Sequence, residues 1–152
     1  MKNLSLIIAL LLMIGSQAGA ECGNLCDRDW WATATEADVQ AELDGGADVT
    51  ARNEYGHTPL LWAAELGTPA IIQALLAAGA DVMARYKYDD HTPLHAAIFA
   101  DDAEEKVKIL LDAGADIRAK DKYDITPWDN AQKNDLLKGT KGYWALSDAQ
   151  YN

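Results

Sequence analysis

Basic side chains are scarce in this chain. Thirteen Lys and Arg stand against 24 Asp and Glu in 152 residues, giving a formal charge of −11 at neutral pH. Such a balance disfavours nucleic acid and anionic lipid surfaces, whose phosphates would be repelled. It is compatible with a basic protein partner and, equally, with simple solubility. Histidine and cysteine are rarer still, at three and two. No second Cys/His pair exists to complete a four-ligand metal set. His91 and His95 are four apart, but Thr92-Pro93 starts a helix between them, so they do not share one helical face. No Ser/His/Asp arrangement and no phosphate-cradling glycine loop is present. The acid pairs Asp89-Asp90, Asp101-Asp102 and Glu104-Glu105 fall at expected turns and helix starts, where capping explains them without general acid–base work. These absences point away from an enzyme and from any cofactor or metal.

Long apolar runs are also missing, apart from one at the start. Met1-Lys2-Asn3 gives a short positive start, residues 4–14 are almost wholly apolar, and Ala18-Gly19-Ala20 is a small-x-small cleavage site. This is the pattern of a bacterial-type signal peptide over residues 1–20. The apolar run is too short to span a bilayer as a helix, and polar sequence follows it directly. Cleavage leaves residues 21–152, one domain by size, periplasmic or secreted and without membrane insertion. Loss of Lys2 takes the formal charge to −12. Export also places Cys22 and Cys26 in an oxidising compartment, where a nearby pair tends to close. One helical turn separates their Cα atoms by roughly 6 Å, within disulfide range. A redox-active dithiol is poorly supported by the Cys-x3-Cys spacing, and Glu21 disfavours lipid attachment at Cys22.

What the chain does have is a repeated sentence. Gly-Ala-Asp with a β-branched residue recurs at Gly46 to Val49, Gly79 to Val82 and Gly114 to Ile117. Thr-Pro with a large apolar residue recurs at Thr58-Pro59-Leu60, Thr92-Pro93-Leu94 and Thr126-Pro127-Trp128. The glycines are 33 and 35 apart, the threonines 34 and 34. Self-similarity at this period means stacked supersecondary units. In the clearest unit, Thr58 caps a first helix over 59–66 and Thr68-Pro69 opens a second over 69–78. Ile71, Ile72, Leu75 and Leu76 make one buried stripe on that second helix, and Gly79 closes it in a left-handed conformation. In the next unit Asp102 and Glu105 read as a capping box, with Val107, Leu110 and Leu111 continuing the stripe. The ends depart from the pattern. Trp30-Trp31, Val39 and Leu43 are the first unit's only apolar face. After Trp128 the pattern runs through Ala131, Leu136 and Leu137, then breaks at 139–144, with Trp144 and Leu146 expected to plug the last open face.

The run Asn53-Glu54-Tyr55-Gly56-His57-Thr58-Pro59-Leu60-Leu61-Trp62-Ala63-Ala64, with Leu75-Leu76-Ala77-Ala78-Gly79-Ala80-Asp81-Val82, strongly resembles the ankyrin repeat. Thr92-Pro93-Leu94-His95 looks like that family's tetrapeptide. The resemblance covers about residues 27–137. It implies an all-α solenoid of about four helix–turn–helix units, two full repeats plus N- and C-terminal caps, joined by β-hairpin-like loops. It also implies that His95 hydrogen-bonds neighbouring backbone. Leu61 and Asp129 replace the histidine, while Asp90 and Asp124 replace the turn glycine; aspartate tolerates positive φ better than most residues. The tail after Leu137 resembles the C-terminal caps of small exported bacterial ankyrin proteins.

The expected function is noncovalent protein binding, with inhibition or protection of a periplasmic client enzyme as its outcome. The expected surface comprises hairpin tips (Asn53, Glu54, Tyr55; Tyr86, Lys87, Tyr88; Lys120, Lys122, Tyr123) and concave first-helix residues (Trp62, Glu65, Leu66, Phe99, Lys133). If the units stack in register, Tyr55, Tyr88 and Tyr123 form a ladder along one edge. Their competing role is to brace neighbouring loops, and that of Trp62 is to cover an inter-repeat seam. Two other functions stay open at this point: a structural or stress-protective envelope module without a dedicated client, and a redox protein using Cys22 and Cys26. Oligomeric state is not readable.

Overall fold

The computed structural model describes residues 22–151. The leader expected at 1–20 lies outside them. Among the described residues all regular structure is helical. A 3-10 turn at Gly23–Cys26 precedes eight α-helices: α1 Arg28–Trp31, α2 Glu36–Asp44, α3 Pro59–Leu66, α4 Pro69–Ala77, α5 Pro93–Ala97, α6 Ala103–Asp112, α7 Pro127–Ala131 and α8 Lys141–Tyr151.

The Thr-Pro pairs start helices for the expected reason. The hydroxyls of Thr58, Thr68 and Thr126 accept the N–H of Leu61, Ile71 and Asp129, three residues on. Proline takes the first helical position, where a missing N–H costs nothing. The resulting helices are short, and α5 and α7 have five residues each. Isolated helices of that length do not hold in water, so each must be stabilised by its neighbours. The packing is arranged accordingly. Helices α1, α3, α5 and α7 contact one another in sequence as an inner row, and α2, α4, α6 and α8 do the same as an outer row. Between the rows lies one continuous core, in which Leu60, Ile72, Leu75, Leu94, Ile98, Val107, Leu110 and Leu146 are fully buried.

Hairpin-like loops join one pair to the next. Their closing bonds run from the N–H of Asn53, Tyr86 and Asp121 to the carbonyls of His57, His91 and Ile125, at 2.9–3.0 Å. The second loop is one residue longer than the others. Asp90 and Asp124 both take φ 60° at the turn, where the first loop has Gly56 at 85°. Successive hairpins are stapled together. Arg52 donates to the Arg85 carbonyl at 2.7 Å, and Arg85 in turn to that of Lys120 at 2.8 Å. His95 is buried, with Nδ1 accepting the Thr92 N–H and Nε2 3.1 Å from the Ile125 carbonyl of the next loop. Asp129 does the first of these jobs in the last unit, where its carboxylate accepts the Thr126 N–H at 2.9 Å.

Three expectations need correction. Asp102 makes no side-chain cap to α6; its carboxylate instead pairs at 2.8 Å with the buried Lys106 ammonium, which also donates to the Ala64 carbonyl. A buried ammonium outbids a helix-terminal N–H for that carboxylate, because an unpaired buried charge costs far more than a frayed end. Trp144 does not plug the last face, being 57% exposed; Leu146 and Gly142 are buried there, and Tyr143 packs on Trp128 at 5.2 Å. Leu136 is exposed, because residues 132–140 form turns and the outer helix of the last unit comes later, as α8. At the other end, Leu25 adds an unforeseen core residue whose carbonyl accepts the Trp31 indole N–H at 2.8 Å. The sulfurs of Cys22 and Cys26 lie at disulfide distance, with Cα atoms 5.3 Å apart.

Candidate functional site

The stack brings the hairpin tips to one edge. There Tyr55, Tyr88 and Tyr123 are about half or more exposed, in contrast to the buried leucines and isoleucines of the core. Tyr55 and Tyr88 approach to 6.3 Å between ring centres, and Tyr86 lies 5.5 Å from Tyr88. Tyr123 does not extend this cluster; it packs beneath the Lys122 ammonium at 5.0 Å. Lys122 also ties its own loop to the previous one, through its N–H to the Asp89 carbonyl and its Nζ to that of Tyr88. Lys120 reaches Asp124 at 3.2 Å, and Lys87 is exposed. Asn53 is half-buried and braces its turn, accepting from the N–H groups of Tyr55 and His57 and donating to the Cys26 carbonyl.

A second row follows from the repeat. Glu65, Phe99 and Lys133 occupy equivalent places, seven residues beyond Thr58, Thr92 and Thr126, and Leu66 is next to the first of them; all four are exposed. Leu66 and Phe99 are large apolar side chains in water at 39% and 61% exposure. Trp62 differs from its expected setting. It is only 5% exposed, because the His57 ring stacks on it at 3.9 Å and nearly parallel. Tyr86 lies 4.1 Å from the same imidazole. Two rings cannot share one face at those distances, so His57 stands between Trp62 and Tyr86. The spacing could have shown this grouping: Tyr86 sits 33 residues beyond Asn53, on the next hairpin, beside the Trp62 position.

The stack borders a cavity of about 750 Å³. Its walls come from Asp27, Arg28 and Asp29 at the start of α1, from the first hairpin, from α3 and from Tyr86. All its aromatic groups are uncharged at neutral pH. Burial pushes His57 below its ordinary value, opposed by the Asp89 carboxylate. A hydrogen bond to Glu54, followed by its charge, raises Tyr55, and burial followed by the Asp89 charge raises Tyr86. Outside the cavity lining, His91 of the second hairpin sits between Asp89 and Asp121, at 3.7 and 3.3 Å.

Four helix pairs in two rows, joined by stapled hairpins, define a helical-repeat solenoid. The family model for ankyrin repeats (three copies) matches residues 31–121. The chain therefore belongs to the ankyrin-repeat family, whose repeats are modules for binding other proteins. The comparison with curated proteins gives no match.

Proposed function

We propose that this is an exported, non-enzymatic module that binds a basic protein client, inhibiting or protecting it. What carries this reading is the edge formed by Tyr55, Tyr88 and Tyr123, together with the exposed Leu66 and Phe99 of the inner row. These large side chains lie in water while the leucines and isoleucines of the same repeats fill the core. Exposed aromatics on rigid supports supply contact area at little ordering cost, which is what a recognition surface needs. Excess acid in the sequence complements a basic partner and speeds its encounter. The surface would comprise the hairpin tips with Glu54, Lys87, Lys120 and Lys122, and the inner-row ends with Glu65 and Lys133. Export through the leader predicts a processed chain beginning at Glu21, which mass spectrometry of the released protein would read directly. Binding is tested by capture from an envelope extract with the wild-type protein and a Tyr88→Ser, Tyr123→Ser double variant. Proteins retained by the wild type and lost by the variant are expected. An identical set on both would remove this edge from the reading.

A further inference from the structure

The cavity beside Trp62 has a composition that the exposed edge does not explain. Its aromatic lining is the Trp62–His57–Tyr86 stack, with Tyr55 at the tip of the first hairpin. Around it stand four carboxylates, Asp27, Asp29, Glu54 and Glu65, against one guanidinium, Arg28. Glu54 and Glu65 are exposed at their places on the hairpin and on α3. They flank the phenols: Glu54 raises Tyr55, its neighbour on the hairpin tip, and Glu65 acts electrostatically on Tyr86. The wall at 27–29 is fixed from behind. Asp27 caps α1 through the Asp29 N–H, Asn53 holds the Cys26 carbonyl, and Cys26 is joined to Cys22. Walls so fixed need little reordering when something enters.

Aromatic faces attract cations through their quadrupole, and a planar guanidinium both stacks on a ring and pairs with carboxylates in fork geometry. An anion would meet a net excess of negative charge, and a neutral apolar group would leave the carboxylates unused. From this we infer that the cavity is a socket for one arginine side chain of the protein client, seated against the Tyr55 and Tyr86 phenol rings and paired with Glu54 and Glu65. The inference deepens the binding reading by giving the client's basic character a place to act. Its test uses a peptide with variants at Glu54 and Glu65, and that of the edge uses client capture with variants at Tyr88 and Tyr123, so either can fail without the other.

The probe is the tripeptide acetyl-Gly-Arg-Gly-amide, titrated into the purified protein and followed by the indole N–H and amide resonances of Trp62, His57 and Tyr86. The control peptide carries citrulline, which has the shape of arginine without its charge. Saturable shifts at these three residues are expected with arginine, weakened at least several-fold with citrulline. Glu65→Gln and Glu54→Gln should each weaken arginine binding by about two- to five-fold, the range for a lost exposed charge pair. Both positions are exposed, and the unchanged amide spectrum of each free variant would verify its fold. Equal binding of the citrulline peptide, equal binding by both variants, or shifts confined to residues away from this cavity would each overturn the proposal.

Discussion

Trp62 buries its ring against His57 but leaves its indole N–H without a hydrogen-bond partner among the described residues. The two properties pull in opposite directions. Deleting the ring should cost about 3–5 kcal/mol, as for large core aromatics. Exchanging the indole for a phenyl ring gives up part of that burial but removes an unsatisfied buried donor, whose penalty is about 1–3 kcal/mol, so the two effects offset. Trp62→Ala is therefore expected to lower the urea midpoint strongly, while Trp62→Phe holds it near wild type or raises it. Equal losses in the two variants would mean that the indole nitrogen has a partner that this arrangement does not provide. Local chemistry of this kind was only half legible in the sequence. Repeat register gives the position of Trp62. That His57 would cover it depended on a hairpin turning back over the helix it precedes.

Helix α8 packs on α6 at a distance that only glycine permits. A Cβ at Gly142 would lie 2.8 Å from the Glu104 Cα and 2.9 Å from its carbonyl oxygen, both backbone atoms that cannot swing away. Although alanine is the better helix former, Gly142→Ala should destabilise by about 1–3 kcal/mol through this clash, read as a lower thermal midpoint. A rise would mean that propensity outweighs packing there. The same glycine explains why the element escaped notice. Gly139, Gly142 and the lack of a Thr-Pro pair read as the end of the pattern, when one glycine ends a turn and the other lets a helix approach. Helices α3 and α4, by contrast, were legible almost to the residue because threonine caps and N1 prolines are local signals. Asp102 reads as a cap because its spacing to Glu105 is a local signal, whereas its pairing with the buried Lys106 is set by packing between helices. The inter-helix geometry that buries that lysine leaves no mark in a single strand of sequence.

These elements also respond to pH in two ranges. Burial lowers His57 and His95 from an ordinary value of about 6.5. A histidine lowered in the folded state contributes fully above that ordinary value and loses its contribution as pH falls below it. Asp38 and Asp129 are lowered by hydrogen bonds from the caps they serve, Thr35 and Thr126. Their contribution is present above about pH 4 and is lost as pH falls further, through the lowered values. Thermal melts followed by circular dichroism should show stability falling in two steps, one beginning near pH 6.5 and one below about pH 4. A flat profile down to the second step would show that burial does not hold the imidazoles neutral.

On the scale of the whole molecule, no helix pair has a core of its own, and each borrows the faces of its neighbours. Stacking is also what aligns the tips. Arg52, Arg85 and Lys122 lock each hairpin to the next, so the exposed tyrosines and the aromatic cavity are set at fixed distances before any partner arrives. Stacked units and their order were open to inference from the period, helix pairs from their caps, and the fold from the resemblance that the motifs carry. The surface was less so, because periodicity marks which positions are equivalent but not which of them a neighbouring ring or carboxylate covers. Amide hydrogen exchange, measured with and without a captured client, tests the binding edge most directly. Client-dependent protection is expected across the three hairpins, at residues 53–57, 86–91 and 121–125, with the outer faces of α2, α4 and α6 unchanged. Protection confined to those outer helices, with the hairpins exchanging as in the free protein, would contradict it.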